Sequence, residues 1–180
     1  QNTITGGAGV DSITGGSVSD TITGGDAADV LDGGAGDDTF VYTTMAQFVT
    51  GNSVVDSVTG GEGEADKVQV DAEIQIVTGD SLTRVNTVEE LVAGAQVAED
   101  TGRAHSIVQD TDGNLSSFRT IDLSADAATA STGLINLDGI TDAVTGTTLK
   151  GVAAGQNTIT GGAGVDSITG GSVSDTITGG

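Results

Sequence analysis

From Ile4 to Phe40 one apolar side chain recurs at every ninth position: Ile4, Ile13, Ile22, Leu31 and Phe40. Each sits in a short stretch such as Thr3-Ile4-Thr5 or Ser12-Ile13-Thr14. Successive side chains of an extended chain point to opposite sides, so each stretch predicts a strand with one residue inward and its neighbours outward. Between the strands lie Gly6-Gly7, Gly15-Gly16, Gly24-Gly25 and Gly33-Gly34, and paired glycines accept the positive φ of a tight turn that a Cβ would resist. From Gly6 to Val41 the chain is therefore four nine-residue units, each with Asp at its sixth place and the inward residue at its eighth.

Such a unit cannot stand alone. Ordering nine residues costs roughly 9–18 kcal/mol of backbone entropy, whereas one buried aliphatic returns about 1.5–3 kcal/mol and each net hydrogen bond about 1 kcal/mol. The turn aspartates point to the missing cohesion. If two units make one coil, alternate turns stack and bring Asp11 toward Asp29 and Asp20 toward Asp38; continued, the same frame pairs Asp38 with Asp56. Stacked carboxylates repel unless a cation lies between them, and oxygen-only donors suit Ca²⁺.

Beyond Val41 the frame weakens. Tyr42–Thr50 keeps Val49 at the eighth place but lacks the glycines and the Asp, which predicts a loop or short helix bulging from the coil. Gly51–Thr59 returns to pattern with Asp56 and Val58, and one extra residue precedes Asp66. From Lys67, Val68, Val70, Ala72, Ile74 and Ile76 alternate with polar residues and predict one half-buried strand. Leu82–Val85 reads as a return strand after Gly79-Asp80, and Asn86–Val92 as a strand or one or two helical turns. Ala104–Gln109 and Phe118–Leu123 flank Asp110-Thr111-Asp112-Gly113-Asn114, predicting a hairpin. That turn has the acidic spacing of a calcium loop, but its glycine comes too early and no Glu closes it. Leu134–Leu137, Asp142–Thr145 and Thr148–Lys150 are short strands.

Gln1–Gly25 recurs letter for letter as Gln156–Gly180. The chain thus reads as one module followed by the start of an identical one: a roll with degenerate continuation over 1–70, an irregular β region over 71–155, and the next roll from 156. The fold class is all-β, a parallel β-roll with an intervening irregular β-solenoid or small β-sandwich.

Composition agrees. With 30 Gly, no Pro, no Cys, no Trp and 2% aromatics, a core of large side chains is not expected, and disulfides are absent. The net charge of -21 argues against nucleic acid and anionic membranes and in favour of divalent cations. No apolar run is long enough for insertion into a membrane as a helix. The single His105 has no second His or Cys for a transition-metal site and no visible nucleophile, so it reads as a surface or hairpin residue, and no enzyme is expected. The Thr-x-Thr ladders read as exposed strand surface, not as an ice-binding array, because Ser12, Val30 and Asp32 interrupt them.

The block GGAGVDSITGG…GGAGDDTFVY resembles RTX repeats of Gram-negative proteins exported by type I secretion, and the middle, with Asn86–Leu91, is similar to RTX-containing surface-layer proteins and large repetitive adhesins. The resemblance implies a calcium β-roll in which the sixth-position Asp and turn carbonyls bind Ca²⁺, folding outside the cell. It carries over to Asp11, Asp20, Asp29, Asp38, Asp56, Asp166 and Asp175. Asp66, after the frame slip, and Asn2 and Asn157, in the place of Asp, complete the candidate metal set. Val18, Ala27 and Val173 replace the fourth-position glycine. The function implied is a calcium-rigidified structural module of a filament, surface layer or adhesin stalk, at the cell surface, with other modules of its own kind as partners in a homopolymer or lattice. The alternatives are an adhesin module binding a cell-surface glycan or other surface ligand, and the secretion tail of an exported hydrolase or toxin.

Overall fold

The computed structural model describes residues 1–77, 79–95, 102–108, 118–137 and 147–179. The nine-residue units become the strands β1 (Thr3–Gly7), β2 (Ser12–Gly16), β3 (Thr21–Gly25), β4 (Val30–Ala35) and β5 (Thr39–Tyr42). Alternate strands stack in parallel with Thr3 opposite Thr21 and Ser12 opposite Val30, so two units make one coil and the two walls enclose Ile13, Ile22, Leu31 and Phe40. The second glycine of each pair makes the corner: φ is +112° at Gly25 and +100° at Gly34.

The weak unit after Val41 is the bulge. Thr44 caps a four-residue helix, α1 (Met45–Phe48), in a reciprocal capping box with Gln47. An antiparallel pair, β6 (Val49–Thr50) and β7 (Ser53–Val54), returns the chain. Phe48 is buried against Tyr42, ring centroids 5.0 Å apart, so the insertion brings its own core. The next strands, β8 (Ser57–Glu62) and β9 (Lys67–Val70), stack on β4 and β5 with Leu31 opposite Val58 and Phe40 opposite Val68. The pairing of Asp38 with Asp56 is therefore corrected. The bulge adds a whole unit to this coil, which places Asp56 next above Asp29 and Asp66 next above Asp38.

The irregular middle continues the winding as solenoid coils. Its described strands are β10 (Gln75–Ile76), β11 (Val85–Asn86), β12 (Glu90–Ala93), β13 (Ala104–Val108), β14 (Thr120–Asp122), β15 (Thr132–Asn136) and β16 (Thr148–Lys150), followed by β17 (Gln156–Thr160), β18 (Ser167–Thr169) and β19 (Thr176–Thr178) in the repeated segment. One eight-stranded sheet, β1-β3-β5-β9-β12-β14-β16-β18, runs the length of the molecule. The facing strands form a four-stranded sheet, β2-β4-β8-β11, and a five-stranded one, β10-β13-β15-β17-β19. A column of inward residues follows the large sheet: Ile4, Ile22, Phe40, Val68, Leu91, Ile121, Leu149 and Ile168.

Three local expectations change. The alternating run from Lys67 to Ile76 is two strands, β9 and β10, in different sheets, because the chain turns a corner at 71–74 while keeping inward residues inward. The return strand is only β11, and it runs parallel to β8. β13 and β14 do not pair with each other as a hairpin would require: each pairs in parallel within a different sheet. The 110–114 turn and the 142–145 strand lie outside the described residues. Within Asn86–Val92, Asn86 ends β11 and Glu90 opens β12, so the segment is strand and turn rather than helix. Among the described residues no helix is long and apolar enough to cross a membrane.

Phe40 is fully buried, whereas Val30 on the opposite wall is 52% exposed. Phe40→Ala should lower unfolding free energy in calcium by about 3–5 kcal/mol, and Val30→Ala by less than about 0.5 kcal/mol, as read by urea denaturation.

Candidate metal centre

The residue before each roll strand is the turn aspartate, and the winding stacks these residues in two columns. The backbone N–H of Asp11 donates to Asp29 Oδ1 at 2.9 Å, and that of Asp29 to Asp56 Oδ1 at 2.8 Å. In the other column the N–H groups of Asn2, Asp20 and Asp38 donate to Oδ1 of Asp20 (2.5 Å), Asp38 (2.7 Å) and Asp66 (2.7 Å). Each carboxylate is thus gripped through one oxygen by the coil before it.

The other oxygen has no such partner. Oδ2 of Asp11, Asp20, Asp29, Asp38, Asp66 and Asp166 is buried and receives no hydrogen bond. An unsatisfied buried acceptor costs about 1–3 kcal/mol, more when charged. Beside each lies a cradle that only glycine leaves open: a Cβ at Gly6 would stand 2.5 Å from Asp11 Oδ2 and 2.6 Å from the Gly24 carbonyl, and one at Gly15 would stand 2.8 Å from Asp20 Oδ2 and 2.5 Å from the Gly33 carbonyl. Among the described residues no three His, Cys, Asp or Glu side chains converge. The donors are single carboxylates with main-chain carbonyls from the adjacent coil, a hard, oxygen-only set that fits Ca²⁺.

The other candidates are placed differently. Asp56 Oδ2 accepts the Tyr42 hydroxyl at 2.9 Å. Burial, with Asp56 beside it, raises the Tyr42 pKa well above its ordinary value, so the phenol keeps its proton and donates. Asp175 takes Asn157 N–H and Nδ2 on Oδ1 and Gly171 N–H on Oδ2. Asn157 is spent within its own turn, Oδ1 accepting from Val152 N–H and Nδ2 donating to the Val152 and Gly155 carbonyls. Asn2 is exposed and supplies its N–H to Asp20. Asp166 Oδ1 accepts from Thr147 N–H and its hydroxyl.

The same register exposes residues that carried no motif. Glu89 precedes β12 in the Asp66 column and accepts the Asp66 N–H at 3.2 Å. Arg84 precedes β11 in the Asp56 column, its Nε donating to the Asp56 carbonyl at 3.1 Å. His105 is the larger correction. It is buried, not on the surface, because β13 pairing puts it in register with Gly133 and Asn157. Its Nδ1 accepts Ile74 N–H at 3.1 Å, as an aspartate Oδ1 does elsewhere, and Nε2 meets Asp126 Oδ2 at 3.0 Å. Burial lowers its pKa despite Asp126, which keeps the ring neutral with its proton on Nε2.

The family model that matches the chain is the RTX calcium-binding nonapeptide repeat, in four copies over residues 5–40 and 153–180. No curated protein and no solved structure is matched.

Burial raises the pKa of Asp38, Asp56 and Asp66, against the N–H bonds that lower it, and neighbouring carboxylates add to the rise at Asp38 and Asp66. A carboxyl whose folded pKa is raised stabilises the fold fully below its unfolded value and loses that contribution as pH rises through the folded value. Without calcium, acidification from about pH 7 to about pH 4 should therefore restore part of the roll's β signal in circular dichroism, and Asp38→Asn should retain more of that signal at pH 7 than the parent. Tyr42→Phe should cost about 1–3 kcal/mol with an unchanged calcium stoichiometry by titration calorimetry; an extra bound ion would make Asp56 a ligand. Residues 5–40 and 153–180 thus match RTX calcium-binding nonapeptide repeats, and the ion that such repeats take is Ca²⁺.

Proposed function

We propose that this chain is a structural repeat module of a secreted bacterial surface protein, part of a filament, surface layer or adhesin stalk, exported by type I secretion and stiffened once outside the cell. The observation that carries this reading is the exact recurrence of Gln1–Gly25 as Gln156–Gly180, wound into one solenoid with the intervening coils. A repeat that begins again in the same wound body suits a module meant to continue into its own kind. The role is mechanical, not catalytic.

The ligand set we assign is Asp11, Asp20, Asp29, Asp38, Asp66 and Asp166 through Oδ2, with glycine carbonyls of the adjacent coil; Asp56, Asp175 and Asn157 hold their turns through protein hydrogen bonds. Bound Ca²⁺ supplies charge neutralisation and a cross-link between coils. For every ligand but Asp11, the chain's own part is to present the oxygen from a carboxylate already oriented by an N–H of the coil before. At an affinity of about 10⁻⁴–10⁻³ M, usual for extracellular modules, the roll stays unfolded in the cytoplasm and closes in millimolar calcium. The excess of acidic groups favours export of an extended chain, since self-repulsion opposes compaction.

In chelator the chain should lose β signal in far-ultraviolet circular dichroism and recover it with Ca²⁺ but poorly with Mg²⁺, whose octahedral demand does not suit shared carbonyl turns. Asp38→Asn should reduce the number of calcium ions bound. A spectrum indifferent to chelator would overturn the mechanism.

A further inference from the structure

The two copies of the repeated segment do not occupy equivalent places. Residues of β1, β2 and β3 recur as β17, β18 and β19. In the first copy β1 and β3 belong to the eight-stranded sheet and β2 starts the facing wall. In the second, β18 ends the eight-stranded sheet while β17 and β19 close the facing five-stranded one. The local roll is nonetheless the same: Ile159 lies opposite Ile177 as Ile4 lies opposite Ile22. Identical sequence is therefore built on opposite walls.

The order of strands along the large sheet gives the size of the offset. β18 is the eighth strand, seven coils above β1, and β17 comes half a coil before it. The copies are thus six and a half coils apart. With about 4.8 Å between neighbouring strands the advance is about 31 Å. The sequence accomplishes this through coil lengths: Thr39 to Lys67, Glu90 to Thr120 and Thr120 to Thr148 are long coils, whereas Thr148 to Ser167 returns almost to the two-unit coil of the roll.

From this we infer that successive modules of the proposed array are related by about half a turn around the rod axis, so that the large sheet of one module continues edge to edge into the four-stranded wall of the next. The inference rests on the tandem reading above. Its consequence is a rod with two alike sides. The outer face of the large sheet carries Thr and Val over the roll, then the ion pairs Lys67–Glu90 (3.7 Å) and Lys150–Asp122 (2.7 Å) around Gln69 and Val92. That charged face appears on alternate sides at intervals of about 31 Å, and the full repeat of the rod is two modules. The partner addressed is a second copy of this chain, joined at the roll; neighbours can be engaged on both flanks because neither flank is the back.

Because the chain has no cysteine, engineered pairs report the wall directly. In the chain as it stands, Thr148→Cys with Ser167→Cys should form a disulfide on mild oxidation in calcium, since these residues are paired across β16 and β18. Thr148→Cys with Thr158→Cys should not. A disulfide in the second pair and none in the first would place the copies a whole number of turns apart and overturn the half turn. In a two-copy chain, residues 1–155 joined to 1–180, Gln69→Cys in each copy, biotinylated and decorated with streptavidin, should show labels on opposite sides of one straight rod by electron microscopy. Labels on the same side overturn the half turn. Two jointed bodies in place of a rod, with the 148–167 disulfide intact, overturn the tandem reading and the inference with it.

Discussion

Asp20, Asp29, Asp38 and Asp66 each divide the carboxylate between two tasks. Oδ1 of Asp29, Asp38 and Asp66 accepts a backbone N–H from the aspartate of the previous coil, while Oδ2 is left buried and without a donor. The first task fixes register, because a one-residue slip would present an N–H to the wrong side of the strand. The second creates a debt that the protein does not settle. Like charges one coil apart, about 5 Å, repel by roughly 3–4 kcal/mol at an effective dielectric constant near 20. The first glycine of the pair that opens each turn is bound into the same constraint, since any Cβ there would fill the space the free oxygen faces. A turn shaped this way is incomplete without a cation.

Following the columns up the solenoid shows how the chain replaces that cation as the coils widen. The Asp56 turn is closed by the Tyr42 phenol and by Arg84 on the Asp56 carbonyl. The other column passes from Asp66 to Glu89 and then to Arg119, whose carbonyl accepts the Thr148 N–H of the following coil. On the five-stranded wall His105 accepts the N–H of Ile74 and donates its Nε2–H to Asp126, which Ser131 and the Ala128 N–H also bind. Asn157 does the same work with an amide. A phenol, a guanidinium, an imidazole and an amide thus stand where the roll leaves an oxygen free. Each supplies internally the donor or positive charge that the early coils take from solution.

The roll was legible because its information is local. A nine-residue period, a glycine pair and an Asp at fixed offset specify turn, strand and free carboxylate together, so Asp11 beneath Asp29 and Asp20 beneath Asp38 follow from spacing alone. The bulge at Tyr42–Val54 was legible as a defect, and the extra residue before Asp66 as a slip of the frame, but not that the bulge adds a full unit, which moves Asp56 from Asp38 to Asp29. Periodicity also hid the corner at 71–74, since alternation survives a corner when the inward residues stay inward. His105 was illegible for a different reason. Its role is defined by register with Gly133 and Asn157, both remote in the sequence, and no motif of its own announces it.

Cohesion is accordingly distributed unevenly along one continuous sheet. A two-unit coil of the roll has room for two inward aliphatics, such as Ile22 and Leu31, and its remaining stability comes from what binds the turn carboxylates. The wider coil from Lys67 to Glu90 encloses Val68, Val70, Ile74, Ile76, Leu82, Val85 and Val88, all fully buried. At about 1.5–3 kcal/mol for each buried side chain the wide coil meets far more of its ordering cost from apolar burial than the narrow one can. The coil from Lys67 to Glu90 therefore leans less on an ion than the narrow coils of the roll do. On the proposed tandem reading, ion-dependent coils stand where one copy of the sequence gives way to the next, and calcium would then control stiffness at the joint rather than within the module.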